Sequence, residues 1–275
     1  EFTKYQYSQE DITKQDYTER FLGMMRVRSS LGSPDMSSYE IPEPGNPEEG
    51  RRSSRISLGA GIKDGSVYQQ FQYRPAYHTL LDPEKGYVPG GQIVFGNFAF
   101  RFYDEERDFR MERFDVIDIL SLAPRDRFLR SMSWKVNTGF RRELYPGKRE
   151  FLAYGVNSGG GVAFENSVIG LVYLMVEPDI LVSRSFDPNY SLGVGGTLGI
   201  LKNLAEWWKI HLSVKELYYG AGEKRNLVKG ELAQRFSFTI NTGVVIGASR
   251  SLVSDEDFKE GYYVDELYCE GNLFF

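Results

Sequence analysis

The sequence predicts an all-β fold, an antiparallel transmembrane β-barrel of about 12 strands within a range of about 10–14, preceded by an amphipathic helix. Three observations predict it. Apolar and polar residues alternate at period two over runs of roughly nine to thirteen residues, longer than the ~5–6 of soluble strands and suited to the ~9–11 that a bilayer needs. The polar parity mixes Gly, Ser, Thr and Asn with Arg and Lys, which suits a crowded, hydrated interior. Aromatics, 15% of the chain, gather near run ends in "FRFY", "WW" and "LYY", where membrane interfaces favour them.

Residues 8–28 read as the helix. Ser8 is placed as its N-cap with Asp11 three residues on, and Tyr17, Phe21, Met24 and Arg28 share one face. Residues 29–52, "SSLGSPDMSSYEIPEPGNPEEGRR", hold prolines, glycines and serines without periodicity and read as a linker. The domain organisation expected is therefore helix and linker over 1–50 and barrel over 51–275.

From residue 54 the alternation recurs. Ile56, Leu58, Ala60 and Ile62 oppose Arg55, Ser57, Gly59, Gly61 and Lys63. Trp134, Val136 and Phe140 oppose Lys135 and Asn137, and the alternation carries Arg141 to the same side as Lys135. Tyr190, Leu192, Val194, Leu198 and Ile200 oppose Gly193, Gly195, Thr197 and Gly199. Ile210, Leu212 and Val214 oppose Lys209, His211, Ser213 and Lys215. Val228, Leu232, Phe236 and Phe238 oppose Lys229, Glu231, Arg235 and Ser237. Turn signals ("KDGS", "YPGK", "NSGGG", "DPN", "GAGEKRN") separate candidate strands beginning near 54, 66, 92, 109, 131, 149, 161, 179, 190, 206, 226, 241 and 261. Alternation lapses over 161–186, where Pro178 also falls. Reading that stretch as one bent strand brings the count to an even number, as closed bacterial barrels have. The final run, "LYCEGNLFF", places Leu267, Cys269, Gly271, Leu273 and Phe275 on one parity, broken on the other only by Phe274. We read it as the closing strand, with Leu273 and Phe275 forming a C-terminal strand signal like that of outer-membrane barrels. Pairing of that strand with the first would leave no free edge.

Composition excludes several function classes. A net charge of −5 gives no basic face for nucleic acid. One cysteine, Cys269, and two histidines, His78 and His211, supply neither a disulfide nor a zinc cluster, so no metal and no cofactor are expected. The longest apolar run, Val168 to Val176, is far short of the ~18 residues of a membrane helix. The polar start "EFTKYQYSQED" has no signal-peptide pattern, so the chain reads as a processed export product or a piece of a longer protein.

The glycines of "GAGIKDG" and, Gly196 apart, of "GVGGTLG" share one strand parity and miss both nucleotide-loop fingerprints, so they read as packing residues. His211 would need a nearby serine and acid to serve as a base, and its parity neighbours are Lys209, Ser213 and Lys215. It reads as one polar residue of a charged lumen, and His78 with Asp82 as a loop-ordering contact. The lumen-lining charged set is Arg55, Lys63, Lys135, Arg141, Lys209, His211, Lys215, Lys229, Glu231 and Arg235, with Glu112, Glu266 and Glu270 as opposing charge. These are expected to hold the barrel shut by ion pairing; the sharper alternative is an anion-attracting pore.

The stretches "SRISLGAGIKDG", "YRPAYHTLLDPEKGYVPGGQIVF" and "SWKVNTGF" resemble the C-terminal region of bacterial envelope proteins that begin with an Lnb-type periplasmic domain. The resemblance runs from about residue 51 to the end. In that family the N-terminal domain is similar to a papain-type cysteine enzyme, and this chain lacks it. Cys269 matches no nucleophile motif, so the resemblance implies an envelope location and no catalytic residue here. The function expected is an outer-membrane anchor or scaffold for a periplasmic activity, in contact with outer-membrane lipid and with a periplasmic or outer-membrane protein partner. The alternatives are a small anion-attracting pore and a soluble all-β periplasmic binding domain.

Overall fold

The computed structural model describes residues 2–31, 48, 50–105, 107–126, 128, 130–257 and 259–275. It divides into two compact units, residues 1–44 and 45–275, treated separately below.

In the first unit α1 (Phe2–Ser8) precedes α2 (Lys14–Ser30). The N-cap of the longer helix is Thr13, not Ser8, which ends α1. Thr13 Oγ1 accepts the Asp16 N–H at 3.2 Å and the Asp16 carboxylate reaches back to the Thr13 N–H, a reciprocal capping box. Phe21, Leu22, Met24, Met25 and Val27 are all exposed and, at 100° per residue, are spread around the helix. The linker expected over 29–52 lies mostly outside the described residues; Ser29 and Ser30 belong to α2.

The second unit is a barrel. Its strands are β1 (Arg55–Lys63), β2 (Ser66–Arg74), the short β3 (Ala76–His78), β4 (Gly91–Tyr103), β5 (Asp108–Ser121), β6 (Ser133–Tyr145) and β7 (Arg149–Asn166). They continue with β8 (Gly170–Val182), β9 (Tyr190–Ala205), β10 (Trp208–Gly222), β11 (Arg225–Thr239), β12 (Thr242–Ser254) and β13 (Gly261–Phe274). Every ladder is antiparallel. β13 pairs with β1 from Arg55↔Phe274 to Lys63↔Glu266, and β2 pairs with β4, so the sheet closes on itself. Pro75, which has no N–H for a ladder bond, interrupts the wall that pairs with β4 first as β2 and then as β3. Opposite the break Gly96 takes φ +66°, and a Cβ there would press on the Pro75 ring. β2 and β3 are therefore one wall, and the described residues form a closed barrel of twelve.

The faces are inverted relative to a soluble protein. Leu58, Leu198, Leu212, Val214 and Leu273 are exposed, whereas Arg55, Arg74, Arg225, Arg235, Glu177 and Asp179 are buried. A closed barrel satisfies all its backbone groups internally and turns its apolar parity to lipid, so this chain spans an outer membrane. The soluble alternative would bury Leu58, Leu198 and Leu212 and expose the arginines.

Two sequence boundaries change. "NSGGG" is not a turn but the middle of β7, whose 18 residues end at a turn over 167–169. A Cβ on Gly161 would lie 2.0 Å from the Leu174 carbonyl, so glycine there serves close strand approach. The stretch 161–186 is thus the end of β7, a turn, all of β8 and the start of the loop that follows it. Phe236 lies near one end of β11, stacked on Trp208 at 5.7 Å.

Candidate functional site

The lumen is filled by side chains. Because each inward residue alternates with an outward one, inward side chains from next-neighbouring strands and from facing walls bring opposite charges together. On β8 the inward Glu177 receives Lys135 of β6 at 2.8 Å and Lys215 of β10 at 3.0 Å. Two residues on, Asp179 receives Arg141 at 2.7 Å. Arg141 also binds Glu143, which binds Arg225. Lys63 binds Glu150 at 2.7 Å and Glu112 at 3.5 Å. Arg101 binds Glu266 at 2.7 Å, and Gln70 donates to Glu270. Lys229 and Glu231 pair at 2.6 Å, in a less buried position. Inward tyrosines cover glycines directly across the ladder: Cβ atoms on Gly61, Gly193, Gly199 and Gly247 would meet the rings of Tyr68, Tyr219, Tyr173 and Tyr268. Glycine is what lets those rings lie against the wall.

At the end bearing Arg51 and Phe275, residues 79–90 between β3 and β4 cross the lumen. Thr79 N–H donates to Asp82 at 2.8 Å, a turn closed by the aspartate side chain. Asp82 is fully enclosed and carries four ion pairs: Arg74 at 2.6 Å, Arg51 at 3.1 Å, Arg55 at 3.7 Å and Arg235 at 3.9 Å. Burial by itself pushes the Asp82 carboxyl up, but Arg74, Arg51, Arg55 and Arg235 outweigh it and hold the group well below the usual carboxylate range. Lys209 of β10 donates to the Leu80 carbonyl at 3.0 Å, the Asp82 carbonyl at 3.1 Å and Glu84 at 2.6 Å. On the other side, Leu80 enters an apolar cluster with Leu122, Ala163, Leu171, Tyr173, Met175 and Leu201. The loop is therefore bolted to β1, β2, β10 and β11 by charge and to β7, β8 and β9 by apolar packing.

The far mouth has a smaller cover. Phe186, in the loop over 183–189, packs with Tyr145, Ala153, Leu181, Leu217 and Tyr219.

The structure brings Arg55, Asp82, Lys209 and Arg235 into one cluster, and Lys135 with Lys215 into another around Glu177. His211 accepts or donates one hydrogen bond with the Tyr173 hydroxyl at 2.8 Å, and among the described residues no serine or carboxylate bonds to it. His78 does not order the loop through Asp82. Its ring packs on Tyr87 at 4.6 Å while the arginines take the carboxylate. Leu273 and Phe275 point outward and are half exposed.

Phe274, which breaks the polar parity in the sequence, is the inward residue that matters. It is buried, with the guanidinium carbons of Arg51, Arg235 and Arg74 at 4.6, 5.1 and 5.7 Å from its ring centre. Arg51, Arg74, Arg101, Arg225, Glu177 and Asp179 also escaped the sequence reading. Extending the inward parity along "LVYLMVEPDIL" would have found Glu177 and Asp179.

Residues 44–264 match a family described as a domain of unknown function (DUF7840). No curated protein matches the chain by sequence. Among solved structures it is similar to the NanC porin, with 4% identity, a TM-score of 0.46, and 80% of this chain and 99% of that chain covered. It is similar to the KdgM porin in complex with disordered oligogalacturonate, with 9% identity, a TM-score of 0.42 and coverage of 80% and 99%. It is similar also to the outer membrane channel DcaP of Acinetobacter baumannii, with 6% identity, a TM-score of 0.38 and coverage of 81% and 96%.

Proposed function

We propose, from the premise that the chain belongs to the family described as a domain of unknown function (DUF7840), that it is a sealed outer-membrane anchor presenting a periplasmic activity or partner. One observation carries this reading: the loop 79–90 laid across the lumen at the end that bears Arg51 and Phe275. Both long connections, 79–90 and 122–132, are at that end, whereas connections at the far end span at most 183–189. Insertion from the periplasm carries the far-end connections across the bilayer, and short connections cross at least cost. The end with 79–90, 122–132 and the segment before β1 then faces the periplasm. This reverses the usual pattern of short periplasmic turns and longer outer loops, and puts the built-up surface where a periplasmic partner can reach it. The resemblance to envelope proteins with an Lnb-type domain supplies the partner class, a folded periplasmic domain preceding or docking on this end. The chain itself provides no catalytic group in this reading.

Sidedness tests it. In a Cys269→Ser background, a cysteine at Lys148 or Lys224 in far-end turns is expected to react with an impermeant maleimide added to intact cells. One at Glu206 is expected to react only after the outer membrane is opened. The opposite labelling overturns the orientation and the anchor reading with it.

The second reading, a small anion-attracting pore, is favoured by the arginine excess around Asp82. It requires the loop over 79–90 to leave the lumen.

A further inference from the structure

The outward face of β11, β12 and β13 carries an ion pair on the parity that is otherwise apolar. Arg250 and Asp265 are direct ladder partners there, and both side chains are exposed. Arg250 Nε and Nη2 donate to the two Asp265 oxygens at 2.6 and 2.7 Å, and the Tyr263 ring centre lies 5.5 Å from the guanidinium carbon. That uses two of the five guanidinium N–H groups, and the other three have no acceptor among the described residues. The pair stands one ladder row inside the row of Val228, Leu252 and Tyr263, toward the middle of the strands. Ionisable groups inside the bilayer are rare on lipid-facing surfaces and pair with or face other protein. The other outward charge nearby, Glu216, shares the Tyr263 row, two strands from Arg250. Beside the pair the wall is missing a side chain. Gly230 is the ladder neighbour of Arg250, and a Cβ there would meet nothing within 4 Å, unlike the inward glycines covered by tyrosines. One row deeper, the small Ala248 stands between Leu232 and Leu267. Together these leave an open groove of about 640 Å3, walled by Val214, Leu232, Leu267 and Ile62.

We infer that this face is the interface of a homodimer, with a second copy of the chain seated on the groove about a two-fold axis along the membrane normal. Charge complementarity selects the occupant. A positive and a negative residue side by side are self-complementary under a two-fold rotation, because each meets the other's counterpart. An axis between β12 and β13 sets Arg250 against the partner's Asp265 in both directions, which gives the spare guanidinium N–H groups a carboxylate. One row deeper the same axis sets Ala248 against the partner's Leu267, small against large, and Leu232 beside the partner's Ile62. The gaps at Gly230 and Ala248 let the two walls approach closely, as small residues do between membrane helices. An anionic lipid headgroup fits less well, since Asp265 would repel it. The dimer does not depend on which end of the barrel faces the periplasm.

The test uses the full chain in lipid bilayers. Single-molecule photobleaching over a range of protein-to-lipid ratios reads the dimer, and the heat-modified gel shift reports folding. Arg250→Asp and Asp265→Arg are each expected to weaken association at least tenfold, since each sets like charges face to face. Mixed together, the two variants are expected to regain wild-type association as a heterodimer, which a role of either residue within its own barrel would not produce. Gly230→Leu directs its side chain into open space, so the barrel is expected to fold and to associate at least tenfold more weakly. In a Cys269→Ser background, Ala248→Cys is expected to cross-link on oxidation, whereas Phe140→Cys, exposed on β6, is not. Wild-type protein that stays monomeric at every ratio overturns the inference. Charge variants that associate as wild type does, or a mixture that does not recover, overturn it equally. A monomer that retains a phospholipid in native mass spectrometry and loses it in Gly230→Leu also overturns it, and assigns the groove to lipid.

Discussion

The Lys209 ammonium lies 2.6 Å from Glu84 Oε1, joining the wall of β10 to a loop that leaves the barrel between β3 and β4. The two residues are 125 positions apart in sequence, and the bond ties the loop that crosses the lumen to the barrel wall. With the Asp82 cluster it turns a surface connection into an internal crossbar.

Removing the acid at the centre of that crossbar is expected to be expensive. Asp82→Asn leaves four buried arginines without their carboxylate, a loss of about 3–5 kcal/mol by analogy with breaking a buried pair. Urea unfolding in micelles, followed by the heat-modified gel shift, measures it. A variant as stable as wild type would show that the cluster does not hold the loop.

The same group sets a pH response. The Asp82 pKa is lowered on folding, so its contribution is complete above the ordinary carboxylate value of about 4 and is lost as pH falls below it. Protease resistance of the 79–90 loop is expected to be flat from pH 8 to 5. Release of the loop within that range would contradict the pairing.

Outward and inward positions are expected to respond differently to charge. Leu212 faces lipid between Ile200 and Leu232 in the ladders, so Leu212→Arg is expected to cost roughly 2–4 kcal/mol, as at a bilayer midplane. Phe236→Arg, beside the Trp208 ring near a strand end, is expected to cost only about 0–1 kcal/mol. Equal costs at the two sites would misplace the lipid belt.

At the last two positions the order of importance is opposite to what the terminal aromatic suggests. Phe274→Ala, emptying a buried site against three arginines, is expected to cost about 3–5 kcal/mol. Phe275→Ala, half exposed, is expected to change folded-state stability by less than about 0.5 kcal/mol. Denaturation of both variants, folded in parallel, separates them.

The strand walls were legible in the sequence wherever one face met lipid and the other met charge, as in β1, β10 and β11. Legibility failed at β8 because both its faces are apolar over Leu171 to Val176. The inward residues Leu171, Tyr173 and Met175 pack on Leu80 and Leu122, so no polar parity exists to read. "NSGGG" misled because turn glycines and close-approach glycines look alike in one dimension. The Asp82 cluster was half visible. Arg55 and Arg235 fell on alternating runs, but Arg51 lies before the first strand and Arg74 just before Pro75, where no periodicity marks them. Nor could alternation reveal that residues 79–90 fold inward, since that depends on partners contributed by β7 through β11.

Single-channel recording in planar bilayers tests the sealed lumen most directly. The intact chain is expected to give no steady conductance, with the 79–90 loop, the Glu177 and Asp179 ion pairs and Phe186 all in the path. Large, steady, anion-selective openings from the intact, heat-modifiable protein would contradict it and establish the pore.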